Sequence, residues 1–256
     1  MILCLDVGNT HIFGGLFEES VLKLSFRYPS KSMVTSDQFG LFLKAFLREH
    51  EISASTIQAI SMGSVVPSLD YSISSACMKY FNLHPIMVKP GVKTGLTLSV
   101  ATPNEMGADR IANAVAAVHK FPNQDLILID FGTATTLCAI TSNKEYLGGA
   151  IYPGIKTTME ALCSFAAKLV PVEIRHPGHA LGKTTETNIQ AGLFYTQLGA
   201  ARELTTRITK EAQFRTTPKI IGTGGYAHLF DSENLFSVNI PNLVLDGLRL
   251  IYEQNC

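Results

Sequence analysis

The same succession of apolar patterns occurs twice along the chain, once in each half. Short apolar runs occupy residues 2–5 in the first half and 126–129 in the second, and each leads into two further β-prone segments. These segments lie at 11–17 and 21–26 in the first half, and at 137–141 and 146–151 in the second. An antiparallel meander of three strands is therefore predicted at the start of each half.

Helical periodicity follows each meander. In the first half we predict helices at about 36–50, 69–81 and 104–119, with strands at 59–65 and 86–88. In the second half we predict helices at about 157–169, 186–212 and 243–255, with a strand at 219–222. Strands first and then alternating helices and strands, in two copies, predict two similar α/β domains with a cleft between them. We place these domains at residues 1–117 and 118–256.

A glycine-containing loop follows the first strand of each half. Residues 6–10 read Asp-Val-Gly-Asn-Thr, and residues 130–136 read Asp-Phe-Gly-Thr-Ala-Thr-Thr. Glycine lets backbone N–H groups approach a ligand closely, and Asn and Thr add neutral donors, which suits phosphate oxygens. The preceding Asp would repel a bare phosphate, so a cation is expected between them. One such loop is more often a simple turn, but two copies at equivalent points favour a site for a polyphosphate and its metal.

Two further segments carry candidate chemistry. Residues 105–110 open a predicted helix, where Asp109 could either stabilise the helix start or accept the proton of an attacking hydroxyl beside Arg110. Residues 222–225, Gly-Thr-Gly-Gly, follow a predicted strand and could be a plain turn or a surface for a base and ribose. Residues 178–184 have only three positions between their glycines where a P-loop needs four, so we interpret them as a loop leading into a helix.

Composition excludes several classes of protein. Lys plus Arg number 21 and Asp plus Glu number 21 among 256 residues, so the basic excess typical of nucleic-acid binding is absent. Neither a run of about 20 apolar residues nor a leader peptide is evident, and we expect a soluble, cytoplasmic protein without a membrane partner. The five cysteines show no C-x-x-C spacing, which argues against a disulfide framework and a zinc site.

Taken together, five segments resemble the type III pantothenate kinase family. They are residues 6–10, 107–110, 130–136, 148–154 and 222–225. This resemblance implies the fold of the actin, hexokinase and acetate kinase superfamily, with duplicated ribonuclease-H-like domains, mixed sheets flanked by helices and an ATP cleft between the halves. It also implies an ATP-dependent phosphotransferase that converts pantothenate to 4′-phosphopantothenate, the first step of coenzyme A biosynthesis.

The resemblance further implies roles for individual residues. The expected ATP contacts are Asp6, Val7, Gly8, Asn9, Thr10, His11, Ile12, Phe13 and Thr133. The expected pantothenate contacts are Gly107, Ala108, Asp109, Arg110 and Thr185, with Asp109 as the general base. Asp6 is expected to hold Mg²⁺ through water, and Asp130 a monovalent cation, K⁺ or NH₄⁺. A homodimer with the pantothenate pocket at its interface is also implied.

Two positions depart from the family pattern, and two other functions remain open. Relatives often carry Asn in place of His11, and Tyr in place of Val100, which cannot donate a hydrogen bond. Another small-molecule kinase of the superfamily would keep the Asp-x-Gly loops but would not explain residues 107–110. A non-catalytic regulator on the same fold would have no need of the carboxylates of Asp6, Asp109 and Asp130.

Overall fold

The computed structural model describes residues 1–30 and 34–256 and has a mixed α/β fold. Its residue contacts divide the chain into two compact units. Unit 1 comprises Met1–Gly95, Thr102–Ala116 and Leu243–Cys256, and unit 2 comprises Leu96–Ala101 and Ala117–Asn242. In the part of the chain that the structure describes, none of the helices is long and apolar enough to cross a membrane.

The elements follow one another in an order close to the predicted one. In chain order the strands are β1 (Ile2–Val7), β2 (His11–Glu18), β3 (Val21–Pro29), β4 (Ala59–Ser64), β5 (Ile86–Met87), β6 (Thr97–Leu98), β7 (Leu126–Phe131), β8 (Ala134–Ile140), β9 (Glu145–Pro153), β10 (Lys219–Thr223) and β11 (Val238–Asn239). The helices are α1 (Ser36–Glu49), α2 (Pro67–Phe81), α3 (Ala108–Lys120), α4 (Ile155–Phe165), α5 (Thr185–Glu211) and α6 (Leu243–Asn255).

Unit 1 is built on a five-stranded sheet with the order β3-β2-β1-β4-β5. The predicted meander is confirmed, because β1 pairs antiparallel with β2 and β2 with β3, whereas β4 adds parallel to β1. Apolar side chains of this sheet pack with α1 and α2 in a core that includes Leu5, Ile12, Phe39 and Leu43. Helix α6 packs against β1, β2 and β4. The first strand therefore lies in the middle of the sheet, where its carboxyl end is held on both sides.

Unit 2 repeats this arrangement in a six-stranded sheet with the order β11-β10-β7-β8-β9-β6. Its meander is again antiparallel, from β7 through β8 to β9, and β10 adds parallel to β7. Helix α5 begins with a capping box in which the Thr184 side chain accepts from the backbone N–H of Thr187. The two loops predicted to be equivalent thus follow β1 and β7, which take the same place in the five-strand order that the two sheets share; β6 is added at the edge of the second sheet.

Several element boundaries differ from the predicted ones. Helix α3 begins at Ala108 rather than near 104, because residues 103–105 form a separate 3₁₀ turn that starts at a proline. Strands β6 and β11 were not predicted, since each consists of one apolar and one polar residue, whereas β5 lies in the apolar run 86–88. The chain passes from unit 1 to unit 2 between Ala116 and Ala117, inside α3 and next to the predicted 117/118 boundary. Helix α6, which we assigned to the second half, packs within unit 1.

Candidate active site

The carboxyl end of β1 carries the first Asp-x-Gly loop. Asp6 is half-buried and lies in register between Phe13 of β2 and Gly63 of β4. The loop that follows is closed by a hydrogen bond from the Gly8 N–H to the carbonyl of His11, with N and O 3.1 Å apart. The conformation of this loop is therefore fixed by its own backbone and by the two strands it joins.

Not every residue expected to contact ATP has a side chain available for it. Val7 and Ile12 are 0% exposed and Phe13 is 7% exposed, so their side chains belong to the interior of unit 1. Only their backbone atoms remain for a ligand. Asn9 and His11 are exposed, and Gly8 and Thr10 are half-buried, so the residues of this segment that reach the surface lie at the tip of the loop.

The segment expected to bind pantothenate lies beside the end of β1. The Val65 N–H donates to the carbonyl of Val7 at 3.0 Å, and a Cβ placed on Gly107 would lie 3.4 Å from Val65 Cγ1. A Cβ on Gly63, the register partner of Asp6, would lie 3.3 Å from the Cβ of Ala108. Residues about a hundred positions apart in the chain are thus brought together in unit 1.

Asp109 stands in the first turn of α3 and is half-buried. Its Oδ1 accepts a hydrogen bond from the Arg110 N–H at 2.8 Å. Burial raises the pKa of this carboxyl, although the hydrogen bond and the charge of Arg110 oppose the shift. A carboxylate with a raised pKa is a stronger base than an ordinary aspartate, which suits proton abstraction.

In unit 2, Asp130 takes the position at the end of β7 that Asp6 takes on β1. It is half-buried and lies in register between Thr136 of β8 and Thr223 of β10. Gly224 follows β10 with φ +91°, and a Cβ at that residue would collide with Asp130 Oδ1. A Cβ on Gly132 would lie 3.5 Å from the same oxygen. The carboxylate is thus bordered by two glycines, and at Gly224 a side chain would take the place that Asp130 Oδ1 occupies.

The second Asp-x-Gly loop is held by the start of α4. Thr133 is exposed, and its carbonyl accepts from the Gly154 N–H at 3.0 Å and from Thr157 Oγ1 at 2.7 Å. A Cβ on Gly154 would collide with the carbonyls of residues 132 and 133. The loop and the helix start therefore approach too closely for any residue but glycine at 154.

A buried amide supports the same loop from α5. Gln197 accepts from Thr135 Oγ1 at 2.8 Å and donates through Nε2 to the Pro153 carbonyl at 2.8 Å. Gln197 is 2% exposed, so its polar atoms are satisfied inside unit 2. It thus links Thr135 of β8 to Pro153 at the end of β9, the residue before Gly154.

Thr185 is the exposed first residue of α5. Residues 178–184 precede it without regular structure, which confirms the loop leading into a helix. Sequence analysis missed the contributions of Gly63, Val65 and Thr157, since these residues act through partners distant in the chain. Gly154 belongs to a quoted family segment, but only the fold reveals its close contact with the loop.

Asp6 and Asp130 supply the carboxylates expected to hold cations. Within residues 1–30 and 34–256 no group of three or more His, Cys, Asp or Glu could hold a metal ion. Mg²⁺ usually keeps several waters and binds through one or two carboxylates and substrate phosphates, so a carboxylate such as that of Asp6 fits this ion. The carboxylate of Asp130 offers an oxygen ligand of the kind that hard cations prefer, at the end of β7 and in close contact with Gly224.

Comparisons with known proteins identify the family of the chain. Residues 2–207 match the family model for type III pantothenate kinase. A type III pantothenate kinase 1 from Francisella tularensis subsp. holarctica (strain OSU18) is 51% identical over 255 residues, covering 100% of both chains. A type III pantothenate kinase from Legionella pneumophila (strain Corby) is also 51% identical over 255 residues, covering 100% of this chain and 99% of the relative.

Solved structures share the fold at low identity. A ROK hexokinase from Thermus thermophilus superposes with a TM-score of 0.51 at 12% identity, covering 98% of this chain and 97% of the hexokinase. A Campylobacter jejuni protein, provisionally described as a Baf family transcriptional activator, superposes with a TM-score of 0.61 at 20% identity, covering 99% and 98%. These likenesses establish an actin-like and sugar-kinase-like fold. The family model and the full-length identities go further: the chain belongs to the type III pantothenate kinase family.

Proposed function

We propose that the chain transfers the γ-phosphoryl group of ATP to the 4′-hydroxyl of pantothenate, with Asp109 as the general base. Membership of the family makes it a kinase that acts on pantothenate. The observation that carries the assignment of roles is the contact of Val65 with both Val7 and the Gly107 position. Val65 follows β4, and its contacts place the start of α3, which carries the base, next to the end of β1, which carries the first phosphate loop.

Asp109 accepts the hydroxyl proton as the oxygen attacks the γ-phosphorus. The new O–P bond forms, the bond from the γ-phosphorus to its bridging oxygen breaks, and ADP leaves with that electron pair. The raised pKa of Asp109 supports this role, because a positioned base of higher pKa accepts the proton more readily. Arg110, adjacent in the chain, supplies a forked cation for an anionic group of the substrates.

ATP is held by the two Asp-x-Gly loops. Backbone atoms of residues 6–13 and the exposed side chains at the tip of the loop contact its phosphates, and Thr133 gives a second contact. Asp6 holds Mg²⁺ through water. When bound, Mg²⁺ neutralises phosphate charge and so favours attack by an oxygen nucleophile.

Asp130 holds the monovalent cation, K⁺ or NH₄⁺. Its position at the end of β7 and the two bordering glycines support this assignment. When bound, the cation supplies positive charge close to the loop that carries Thr133. Units 1 and 2 are proposed to be the two domains predicted at residues 1–117 and 118–256, with α6 packing in the first.

Pantothenate is bound by Gly107, Ala108, Asp109, Arg110 and Thr185. We further propose a homodimer in the cytoplasm that catalyses the first step of coenzyme A synthesis. The family supports these assignments. Asp109 and Thr185 lie in the first turns of α3 and α5, and this position supports their contact with a small ligand.

The test is a coupled assay of ADP release with ATP, Mg²⁺ and pantothenate, in K⁺ and in Na⁺ of equal concentration. We expect pantothenate-dependent ADP release in K⁺ and much less in Na⁺. A panel of small sugars in place of pantothenate is the control. Turnover of a sugar but not of pantothenate would contradict the proposed substrate, and equal rates in both salts would contradict the role of Asp130.

A further inference from the structure

We infer that Arg27 of β3 is a further ATP-binding residue, contacting the phosphate groups beside Asp6. This inference rests on the proposed function, since it names an additional contact for the same nucleotide. It starts from a row of residues across the sheet of unit 1. Asp6 pairs with Phe13, and Phe13 pairs with Arg27.

Residues directly opposite each other in antiparallel strands point to the same face of the sheet. Asp6, Phe13 and Arg27 therefore share one face. The guanidinium carbon of Arg27 lies 4.1 Å from the centre of the Phe13 ring, so the side chain turns inward along the row, toward the Asp6 side. Neighbouring strands are about 4.8 Å apart, which brings the guanidinium to the vicinity of the first phosphate loop.

Residues of helix α6 cover other positions on this face of β2, whereas Arg27 lies over Phe13. On the same face of β2, a Cβ on Gly15 would meet Leu245, and the Arg249 guanidinium lies 5.6 Å from the Phe17 ring. Both of those positions are thus covered from α6. Phe13, one step nearer the phosphate loop, has Arg27 over its ring, and the exposed strand β3 supplies this cation.

The charge balance of the site points the same way. Of the residues assigned to ATP, 6–13 and 133, none has a permanently charged cationic side chain. Phosphoryl-transfer enzymes commonly use Lys or Arg together with a metal against the charge of the phosphates. Arg27 is exposed, and among residues 1–30 and 34–256 the structure gives it no carboxylate partner. Its planar fork of donors matches phosphate oxygens.

The test is titration calorimetry of ATP and AMP, with Mg²⁺ and without pantothenate, on the full chain and its variants. Arg27→Met keeps a long apolar stem over Phe13 and removes the charge, and Arg27→Lys restores the charge without the fork. The matched control is Lys23→Gln, which removes a cation that pairs with Glu18 at 2.8 Å elsewhere on β3. Thermal unfolding checks that each variant is folded.

We expect Arg27→Met to weaken ATP binding by roughly ten- to a hundredfold, with AMP affinity changed by less than about threefold. Arg27→Lys should bind ATP with intermediate affinity, and Lys23→Gln like the wild type. Unchanged ATP affinity in folded Arg27→Met, or an equal loss for ATP and AMP, would overturn the inference. Its failure is distinguishable from that of the proposed function, which is contradicted when wild-type protein binds ATP but releases no ADP with pantothenate.

Discussion

Gly107 leaves open the space that the carboxylate of Asp109 fills, because a Cβ on residue 107 would collide with Asp109 Oδ1. Gly107 directly precedes α3, and Asp109 lies two residues later in its first turn. Replacing the glycine therefore changes the position of the proposed base without changing its chemistry.

We expect Gly107→Ala to lower kcat by about a hundredfold, since a displacement of about 1 Å in a reacting group has that order of effect. The coupled ADP assay measures it. The matched control is Gly192→Ala on α5, where an added Cβ meets no atom within 4 Å. That variant should keep wild-type kcat and gain about 0.5–1 kcal/mol in stability, because alanine is the better helix former. Wild-type kcat in Gly107→Ala would contradict the proposed positioning.

Asp109→Asn removes the base and keeps the shape of the side chain. We expect kcat to fall by roughly 10²–10⁴-fold, the usual contribution of a positioned base. In the wild type, kcat/KM should fall with decreasing pH, and this fall should begin at a higher pH than an ordinary aspartate would give, because burial raises the pKa of Asp109. A variant with wild-type turnover would exclude Asp109 as the base.

Asp109→Asn should lower kcat but should not lower the stability of the folded protein. The pKa of Asp109 is raised in the folded state, so the folded protein holds its proton more tightly, and stability falls as the pH rises from the unfolded pKa to the folded one. At neutral pH the wild type therefore carries the cost of a buried charge that the amide lacks. The variant should be at least as stable as the wild type in urea unfolding, and a clear loss of stability would indicate a structural role.

Adjacent glycines after β10 allow a matched test of the cation site. Gly224 has φ +91° and borders Asp130 Oδ1, whereas a Cβ on Gly225 meets no atom within 4 Å. We expect Gly224→Ala to raise severalfold the K⁺ concentration needed for half-maximal activity, and to lower stability by about 1–3 kcal/mol because of the backbone conformation. Gly225→Ala should leave the K⁺ dependence unchanged. Equal K⁺ curves for both variants and the wild type would contradict the assignment of Asp130.

Asp125 offers a prediction on stability alone. This buried carboxylate accepts from the Ser142 N–H at 2.7 Å, the Thr216 N–H at 2.8 Å and Thr216 Oγ1 at 3.1 Å. Burial raises its pKa, but the hydrogen bonds outweigh burial and the pKa is lowered. Asp125→Asn places an amide N–H against one of these donors and should cost about 1–3 kcal/mol at pH 7.

The pH dependence of that loss has a definite sign. A carboxyl with a lowered folded-state pKa contributes stability above its unfolded pKa, about 3.9, and loses it as the pH falls through the folded value. The difference between wild type and Asp125→Asn in urea unfolding should therefore shrink below about pH 4. The exposed carboxylate of Asp37 is the control, and Asp37→Asn should have a much smaller effect at pH 7. A difference that grows on acidification would contradict this account.

Much of the fold could be predicted from local patterns. The two meanders, the long helices and the positions of Asp6 and Asp130 at the ends of β1 and β7 follow from periodicity, which depends only on neighbouring residues. Asp109 in the first turn of α3 was also predicted, although the helix starts later than expected. Strands β6 and β11 could not be predicted, because each lacks an apolar run and is recognised only by its pairing with a longer strand.

The sequence by itself determined the order of the elements, the repeat and the family, because these depend on local spacing and on short motifs. Only the tertiary structure decided that α6 packs in unit 1, that Val65 contacts both Val7 and the Gly107 position, and that Arg27 covers Phe13. The physical reason is the same in each case. These contacts join residues far apart in the chain, and strand pairing and close packing, rather than any local period, select them.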